Sequence, residues 1–439
     1  MILYAKRLFM NTLSPGIFVK QEERWTYGNI SVLVFWANYR KEKTMEPDFI
    51  NPLYDAGGFA SLPQRITENL SGSRYDAVVL FLIDGFGWRF FEKYQEMPFF
   101  QQTARAGTVT KLISQFPSTT AAELTTIHSG MPVGEHGVFE WYYYDPVADN
   151  VIAPLLYSFA GTSQRDTLKP IGIKPSSLFP ASNLYRLLKD QGVDSTIFQH
   201  REYTPSTYSN MLFKGSNAIG YRTLAEALVN LVDKLSEIKP PAYLFFYFDR
   251  IDAISHEYGP ESNQTAAEIL IFHETMQQIF LKALAGIHKK ILFLLTADHG
   301  QVEIDPQTTI YLNREPAFTG IVKFLRANAK GELMVPAGSA RDFFLYTKPE
   351  ALDEAQAFLA SRLDGRAEVR KIQELIQAGY FGPVISPRFR ARAGDLVILP
   401  YRGESVWWFE KDKFEQKFRG HHGGLTQQEM EIPLISWEI

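Results

Sequence analysis

KILFLLTADHG (residues 290–300) sets an unbroken apolar run against an Asp-His-Gly turn. A run of strand length in which every position is apolar has both faces buried, the mark of an interior strand in a parallel sheet. Two more stretches share the design: AVVLFLI (77–83) runs into Asp84 and Gly85, and YLFFYFD (243–249) leads to Asp252 and His256. STIFQ (195–199) is a shorter fourth member. Between them, LAEALVNLVDKLSEI (224–238) and TAAEILIFHETMQQIFLKALAG (265–286) carry apolar residues at helical steps. Such alternation points to an α/β fold, a doubly wound and mostly parallel sheet flanked by helices.

The bulk properties narrow the function. Apolar residues make up 45% and charged ones 21% of 439 residues, as in a globular chain large enough for an extensive core. A net charge of -4 argues against a nucleic-acid scaffold as partner, because phosphate backbones select basic faces. It is compatible with a small phosphorylated molecule, since bound metal ions reverse the sign inside one cleft. With no cysteine, disulfides and thiolate metal sites are excluded, so any metal sits on imidazole and carboxylate. No segment approaches the roughly 20 apolar residues needed to span a bilayer. The opening MILYAKRLFMNTLSPGIFVK holds no signal-peptide core, and a cytoplasmic enzyme is expected.

The chain divides by texture. Residues 1–44 read as an N-terminal extension of uncertain role, with Met45 a natural start, and 45–312 as the catalytic core. From 313 to 395 basic, Gly-rich and helical pieces intervene (NAKGELMVPAGSARDFFLYT, then PEALDEAQAFLASRL), read as an inserted cap. The core is expected to resume near GDLVILP (394–400), so that 396–439 return to it carrying a metal ligand.

Ligands of open α/β sheets bind beyond the carboxyl ends of the strands, where Asp84, Asp252 and Asp298 all fall. Each alone suits a turn or a helix N-cap. Together, two of them with a histidine nearby, they suit a metal site assembled by the fold. Asp252 and His256 are one helical turn apart and share a face. Asp298 and His299 are adjacent, and Gly300 supplies the backbone freedom for both to converge. In GHHGG (420–424) the glycines allow close approach to a cleft, and His422, directly before the Gly pair, is preferred over His421. In FPSTTAAELTTIHSG (116–130), Ser118, Thr119 and Thr120 precede a helix, and each suits an N-cap or a nucleophile. A helix N-terminus also stabilises a phosphoryl oxyanion.

LIDGFG, the Thr-rich helix start with SGMPVGEHG, the D-x-x-x-H segment ending in YGP, TADHG and GHHGG together resemble the alkaline phosphatase superfamily. Within it they are most similar to the type I phosphodiesterase/nucleotide pyrophosphatase group and its bacterial relatives. The resemblance runs from about residue 76 to the C-terminus, outside the cap. It implies an alkaline phosphatase-like core, two divalent metal ions (zinc, or else manganese), and a Ser or Thr that becomes covalently phosphorylated. By the resemblance Asp84, Thr120, Asp298 and His299 hold one metal, and Asp252, His256 and His422 the other. The family nucleophile stands ten residues before the Gly that ends its helix, which here is Gly130 and selects Thr120 over Thr119.

One departure concerns specificity. Nucleotide-cleaving relatives place an Asn shortly after the His-Gly pair, where this chain has Trp141 in EWYYYDP, and no Arg or Lys typical of monoester-cleaving relatives stands nearby. Tyr142, Tyr143 and Tyr144 suit either a core strand or contacts to a phosphoryl group or base. His128, His136, His200, His273 and His288 have no partner at ligand spacing; His273 is read as a packed side chain in a helical apolar pattern and His136 as structural. The expectation is a metal-dependent phosphoric ester hydrolase acting on a small-molecule phosphoester. Its rivals are a phosphonate hydrolase or phosphomutase of the same superfamily, and a phospho-ligand-binding protein on the same fold.

Overall fold

The computed structural model describes residues 48–72 and 74–439. In the preceding stretch it describes only the backbone of three short antiparallel strands, Val19–Gln21, Arg24–Tyr27 and Ile30–Ser31. The expected 1–44 extension otherwise lies outside the described residues, and 48–439 form one compact unit.

Its centre is a seven-stranded sheet. In chain order the strands are β1 (Ala77–Ile83), β2 (Gly107–Ile113), β3 (Asp194–His200), β4 (Asn217–Tyr221), β5 (Ala242–Phe248), β6 (Ile291–Thr296) and β7 (Glu431–Glu438). They lie side by side as β4-β3-β5-β1-β6-β7-β2. The first five in that order are parallel, and β7 runs antiparallel to both its neighbours. Every residue of β1, β5 and β6 is buried, which is why their sequences are apolar without alternation. β7 carries Pro433 inside the sheet. Its last pairing with β6 is Leu434 opposite Thr296, so the proline sits one residue beyond that ladder, where no donor is required.

Helices flank the sheet. Those that matter for the site are α1 (Thr120–Ser129) and α2 (Arg250–Tyr258). The expected helix at 265–286 begins at Asn263 and passes through a π-helical segment, Met276–Leu281.

A second, four-stranded antiparallel sheet runs in the order Ala337–Gly338, Phe343–Leu345, Leu396–Pro400, Ala367–Lys371. Leu396–Pro400, expected as the point where the core resumes, is a central strand of this sheet. Val397 and Leu399 on one face join the main core, while Leu396 and Ile398 on the other join a second core with Leu359 and Trp407. Phe344 and Phe343 divide in the same way. The sheet is thus a wall between two cores.

Candidate metal centre

β5, β1 and β6 are adjacent and parallel, so their carboxyl ends open on one side. Asp84 follows directly on β1, α2 begins two residues after β5, and Asp298 lies two residues past β6. Gly85 follows Asp84 with φ +70°, a conformation costly for other residues, and a Cβ there would sit 3.0 Å from the Asp252 backbone. The chain is pressed close at this point, which brings the two acids together.

All seven side chains singled out from the sequence meet there. The Thr120 hydroxyl is 3.2 Å from His299 Nε2 and 3.5 Å from Asp84 Oδ1. His299 Nε2 lies 3.4 Å from both Asp84 Oδ1 and Asp298 Oδ2. Across the site His256 Nε2 is 3.2 Å, and His422 Nε2 3.9 Å, from the Asp252 carboxylate. The His299 and His422 rings stack at 3.5 Å between centroids, joining the two halves. Two donor groups close enough to hold an ion stand out among the described residues: Asp84, Asp298, His299, and Asp252, His299, His422. His299 thus belongs to both groups, not only the one it was first assigned to.

The three neighbouring hydroxyls have separate tasks. Ser118 Oγ donates to Gly424 O at 2.8 Å, tying the His422 loop to this segment. Thr119 is the N-cap of α1, its Oγ1 accepting from Ala122 N at 3.4 Å and donating to Phe139 O at 3.1 Å. Thr120, the first helical residue, is left facing the acids and imidazoles. His422 rather than His421 approaches Asp252, its Nδ1 held 3.0 Å from Ser118 O; His421 Nδ1 instead accepts from the His422 backbone N–H.

The surrounding contacts orient these groups. Asp298 Oδ1 accepts from the backbone N–H of Gly85 and of His299, at 3.1 and 3.0 Å, while its buried Oδ2 has no donor. Tyr247 gives Asp84 Oδ2 a short hydrogen bond, and Gln301 Nε2 donates to Asp252 Oδ1 at 2.5 Å. His256 Nδ1 meets Gly420 O at 2.8 Å, which presents Nε2 to the cleft. Neither Tyr247 nor Gln301 was singled out from the sequence. Tyr247 hides within an aromatic strand, and Gln301 has only its place after TADHG to mark it.

Electrostatics favour a cation. Burial, then the charges of Asp298 and Asp252, raise the Asp84 pKa well above the usual carboxylate range. Burial works in the same direction on Asp252, but the neighbouring His256, by its charge and its hydrogen bond, outweighs it and holds that carboxyl far below the range. Burial and the neighbouring His299 depress His422, leaving a neutral imidazole fit to ligate. A buried acceptor without a donor, crowded carboxylates and nearby imidazoles form a donor set suited to divalent metal.

Three histidines outside the cluster are tied by hydrogen bonds inside the protein. His136 Nε2 pairs with Thr126 Oγ1 and its Nδ1 accepts from Val138 N, both at 3.0 Å. His128 Nδ1 meets the Tyr185 hydroxyl at 2.7 Å, and His273 accepts from Phe99 N at 3.0 Å. Of the three tyrosines, Tyr143 stacks in the core on Phe139, Tyr144 bonds to Asp149, and Tyr142 lines the cavity beside the site. That cavity, of about 630 Å³, also takes in Trp141, Trp407, Phe414, Phe418 and Arg165.

An α/β sheet with acids at three adjacent strand ends and a threonine at a facing helix start defines a class. The sequence profile of the type I phosphodiesterase/nucleotide pyrophosphatase family matches residues 78–425, and the chain belongs to that family. Venom phosphodiesterase 2 of Crotalus adamanteus is 24% identical over 262 residues, covering 56% of this chain and 29% of the relative. The chain thus spans under a third of the curated relatives it matches. Among solved structures, murine ectonucleotide pyrophosphatase/phosphodiesterase 5 superposes with a TM-score of 0.61 at 17% identity, covering 81% of this chain and 87% of that one. An inactive variant of it in complex with AMP gives 0.60 at 16% identity, with the same coverage of both chains. At such identities the likeness is one of fold. No helix among the described residues is long and apolar enough to cross a membrane.

Proposed function

We propose that this chain is a metal-dependent phosphodiesterase that works through Thr120 and two divalent cations. The observation that carries the reading is the Thr120 hydroxyl, at the start of α1, within 3.5 Å of both Asp84 and His299. Asp84, Asp298 and His299 would hold one cation beside Thr120, and Asp252, His256 and His422 the other. Imidazole and carboxylate donors without thiolate suit zinc, and manganese next. Such ions, once bound, favour the ionised threonine hydroxyl and neutralise charge on the phosphoryl and leaving oxygens.

The protein's own groups do the rest. The first turn of α1 directs its positive end at the phosphoryl group. Thr120 Oγ1 attacks phosphorus in line; the new O–P bond forms as the bond to the departing alcohol breaks, and that alcohol takes up a proton. Water then displaces Thr120 from the phosphothreonine, which restores the hydroxyl and releases the product. Trp141, Tyr142 and Phe414 line the cavity next to Thr120 and leave room for an ester substituent. This supports a small-molecule phosphodiester as substrate, and an inactive variant of the murine relative is found in complex with AMP. Nucleotide preference is a separate matter, because Trp141 replaces the Asn of nucleotide-cleaving relatives.

The test is Thr120→Ala. The variant is expected to fold and take up metal as the wild type does, and to lose turnover of bis-p-nitrophenyl phosphate. Phosphomonoesters and phosphonates serve as comparison substrates. Undiminished diester turnover in the variant removes the proposal.

A further inference from the structure

Two buried carboxyl groups meet beside the site and take no part in the chemistry above. Glu140 is 1% exposed and precedes Trp141; Asp342 is 0% exposed and lies in the cap hairpin between Ala337–Gly338 and Phe343–Leu345. Glu140 Oε2 accepts a short bond from Trp141 N, and its Oε1 has no donor. Asp342 Oδ1 accepts from the Ser339 hydroxyl at 2.5 Å and from Ser339 N at 3.1 Å, and its Oδ2 has no donor. The two carboxyl groups lie within hydrogen-bonding reach of each other. Ionised carboxylates only accept, so a bond between them requires a proton on one. Two bare carboxylates this close and out of water would repel.

Asp342 is also joined to a proposed metal ligand. Ser339 Oγ lies 3.2 Å from His422 O. Gly423 packs so tightly here that a Cβ on it would fall 2.6 Å from Asp342 Oδ1 and 2.7 Å from Ser339 Oγ. On its other side the loop is held by Ser118, through Gly424 O and His422 Nδ1. His422 is therefore clamped between the segment leading to Thr120 and the cap hairpin. Gly338 N donates to Tyr142 O at 2.6 Å, a second tie between that hairpin and the Trp141 loop.

We propose that Glu140 and Asp342 share one proton, and that their bond positions the His422 loop by fastening the cap hairpin to the Trp141 loop. The positioning half rests on the metal-site reading above; the shared proton does not. Arg341, the cation on the same hairpin, is bound to Glu429 at 2.9 and 3.0 Å. Glu429 adds negative charge behind the pair, and the imidazoles of His421 and His422, across Ser339, are held neutral chiefly by burial. Burial pushes Glu140 up to about 8, and burial followed by the charge of Glu140 raises Asp342 well above the usual range.

The test uses the full chain and two readouts. First, unfolding free energy is measured against pH from 5 to 9 in chelator-treated wild type and Glu140→Gln. The folded pair holds a proton that the unfolded chain has released above about pH 5, so wild-type stability should fall as pH rises toward 8. Glu140→Gln supplies a permanent N–H donor, and its slope should be shallower by up to one linked proton. Second, zinc affinity is measured by competition with a chromophoric chelator. Glu140→Ala and Asp342→Ala should weaken the zinc that His422 would hold by about 10–100-fold, the usual cost of losing a group that orients a ligand. Glu140→Gln should stay within about threefold of wild type, on the same principle that the orienting bond is kept.

Equal pH slopes in wild type and Glu140→Gln overturn the shared proton, as does a third metal equivalent lost in that variant, which would place a cation between the acids. Unchanged zinc affinity in the alanine variants overturns the positioning role. If those variants fail to fold, Asp342→Asn must match Glu140→Gln in both readouts, and a mismatch counts against the pair. A wild type that binds no zinc removes the metal-site reading while leaving the slope comparison decisive for the proton.

Discussion

Thr119 and Thr120 are adjacent, yet their substitution should separate stability from chemistry. Thr119→Ala removes the N-cap of α1 and the hydrogen bond to the buried Phe139 carbonyl. The cap bond, at 3.4 Å, is long and contributes toward the low end, about 0.5 kcal/mol. The bond to Phe139 is 3.1 Å and its loss leaves an acceptor unpaired inside the protein, which costs about 1–2 kcal/mol. The sum, about 2 kcal/mol, should appear as a lower urea midpoint with an unchanged slope. Turnover per folded molecule should stay within a few-fold, in the manner of substitutions that touch no reacting group. Thr120→Ala reverses the pattern: its hydroxyl faces only Asp84 and His299, so stability should move by about 0.5 kcal/mol or less. Turnover should fall by at least about a thousandfold, the scale of losing a nucleophile. Urea titration paired with single-turnover hydrolysis of bis-p-nitrophenyl phosphate reads both. An inactive Thr119→Ala beside an active Thr120→Ala would refute the assignment.

Other outcomes follow from the same geometry. Gly423→Ala forces a Cβ toward Asp342 and Ser339 at a φ of +120°, so both melting temperature and zinc uptake should fall; calorimetry with and without zinc reads this. Arg392 is buried, with Nε 2.7 Å from Asp145 Oδ2 and Nη1 2.6 Å from Gly137 O, so Arg392→Ala strands a buried carboxylate and should cost about 3–5 kcal/mol in denaturant unfolding. Burial lowers His128 and His136 to about 3. The unfolded chain then binds more protons between about pH 3 and 6.5, so stability is lost as pH falls through that window. His128→Gln should lessen the slope of unfolding free energy there by up to about 1.4 kcal/mol per pH unit.

How much was legible depended on whether an element carries its own pattern. β1, β5 and β6 are buried on both faces and announce themselves as unbroken apolar runs, each followed by the acid that the parallel arrangement then gathers. β2 is an edge strand with exposed residues along most of its length, and β7 has Glu431 at its start and Pro433 within, so neither stood out. Leu396–Pro400 was expected where the core resumes and pairs instead in the four-stranded sheet, because an apolar run says nothing of which two cores it divides. The seven side chains that meet in the cleft were legible where motif spacing carried them. Tyr247, Gln301 and the Glu140–Asp342 pair were not, since each matters through a partner far away in the chain.

The central claim is that two cations bind among these seven side chains. Anomalous diffraction at the zinc absorption edge, from crystals of the zinc-loaded protein, tests it most directly. Two peaks are expected, one beside Asp84, Asp298 and His299, the other beside Asp252, His256 and His422. No peak in this cleft, or zinc bound only elsewhere on the molecule, would contradict it.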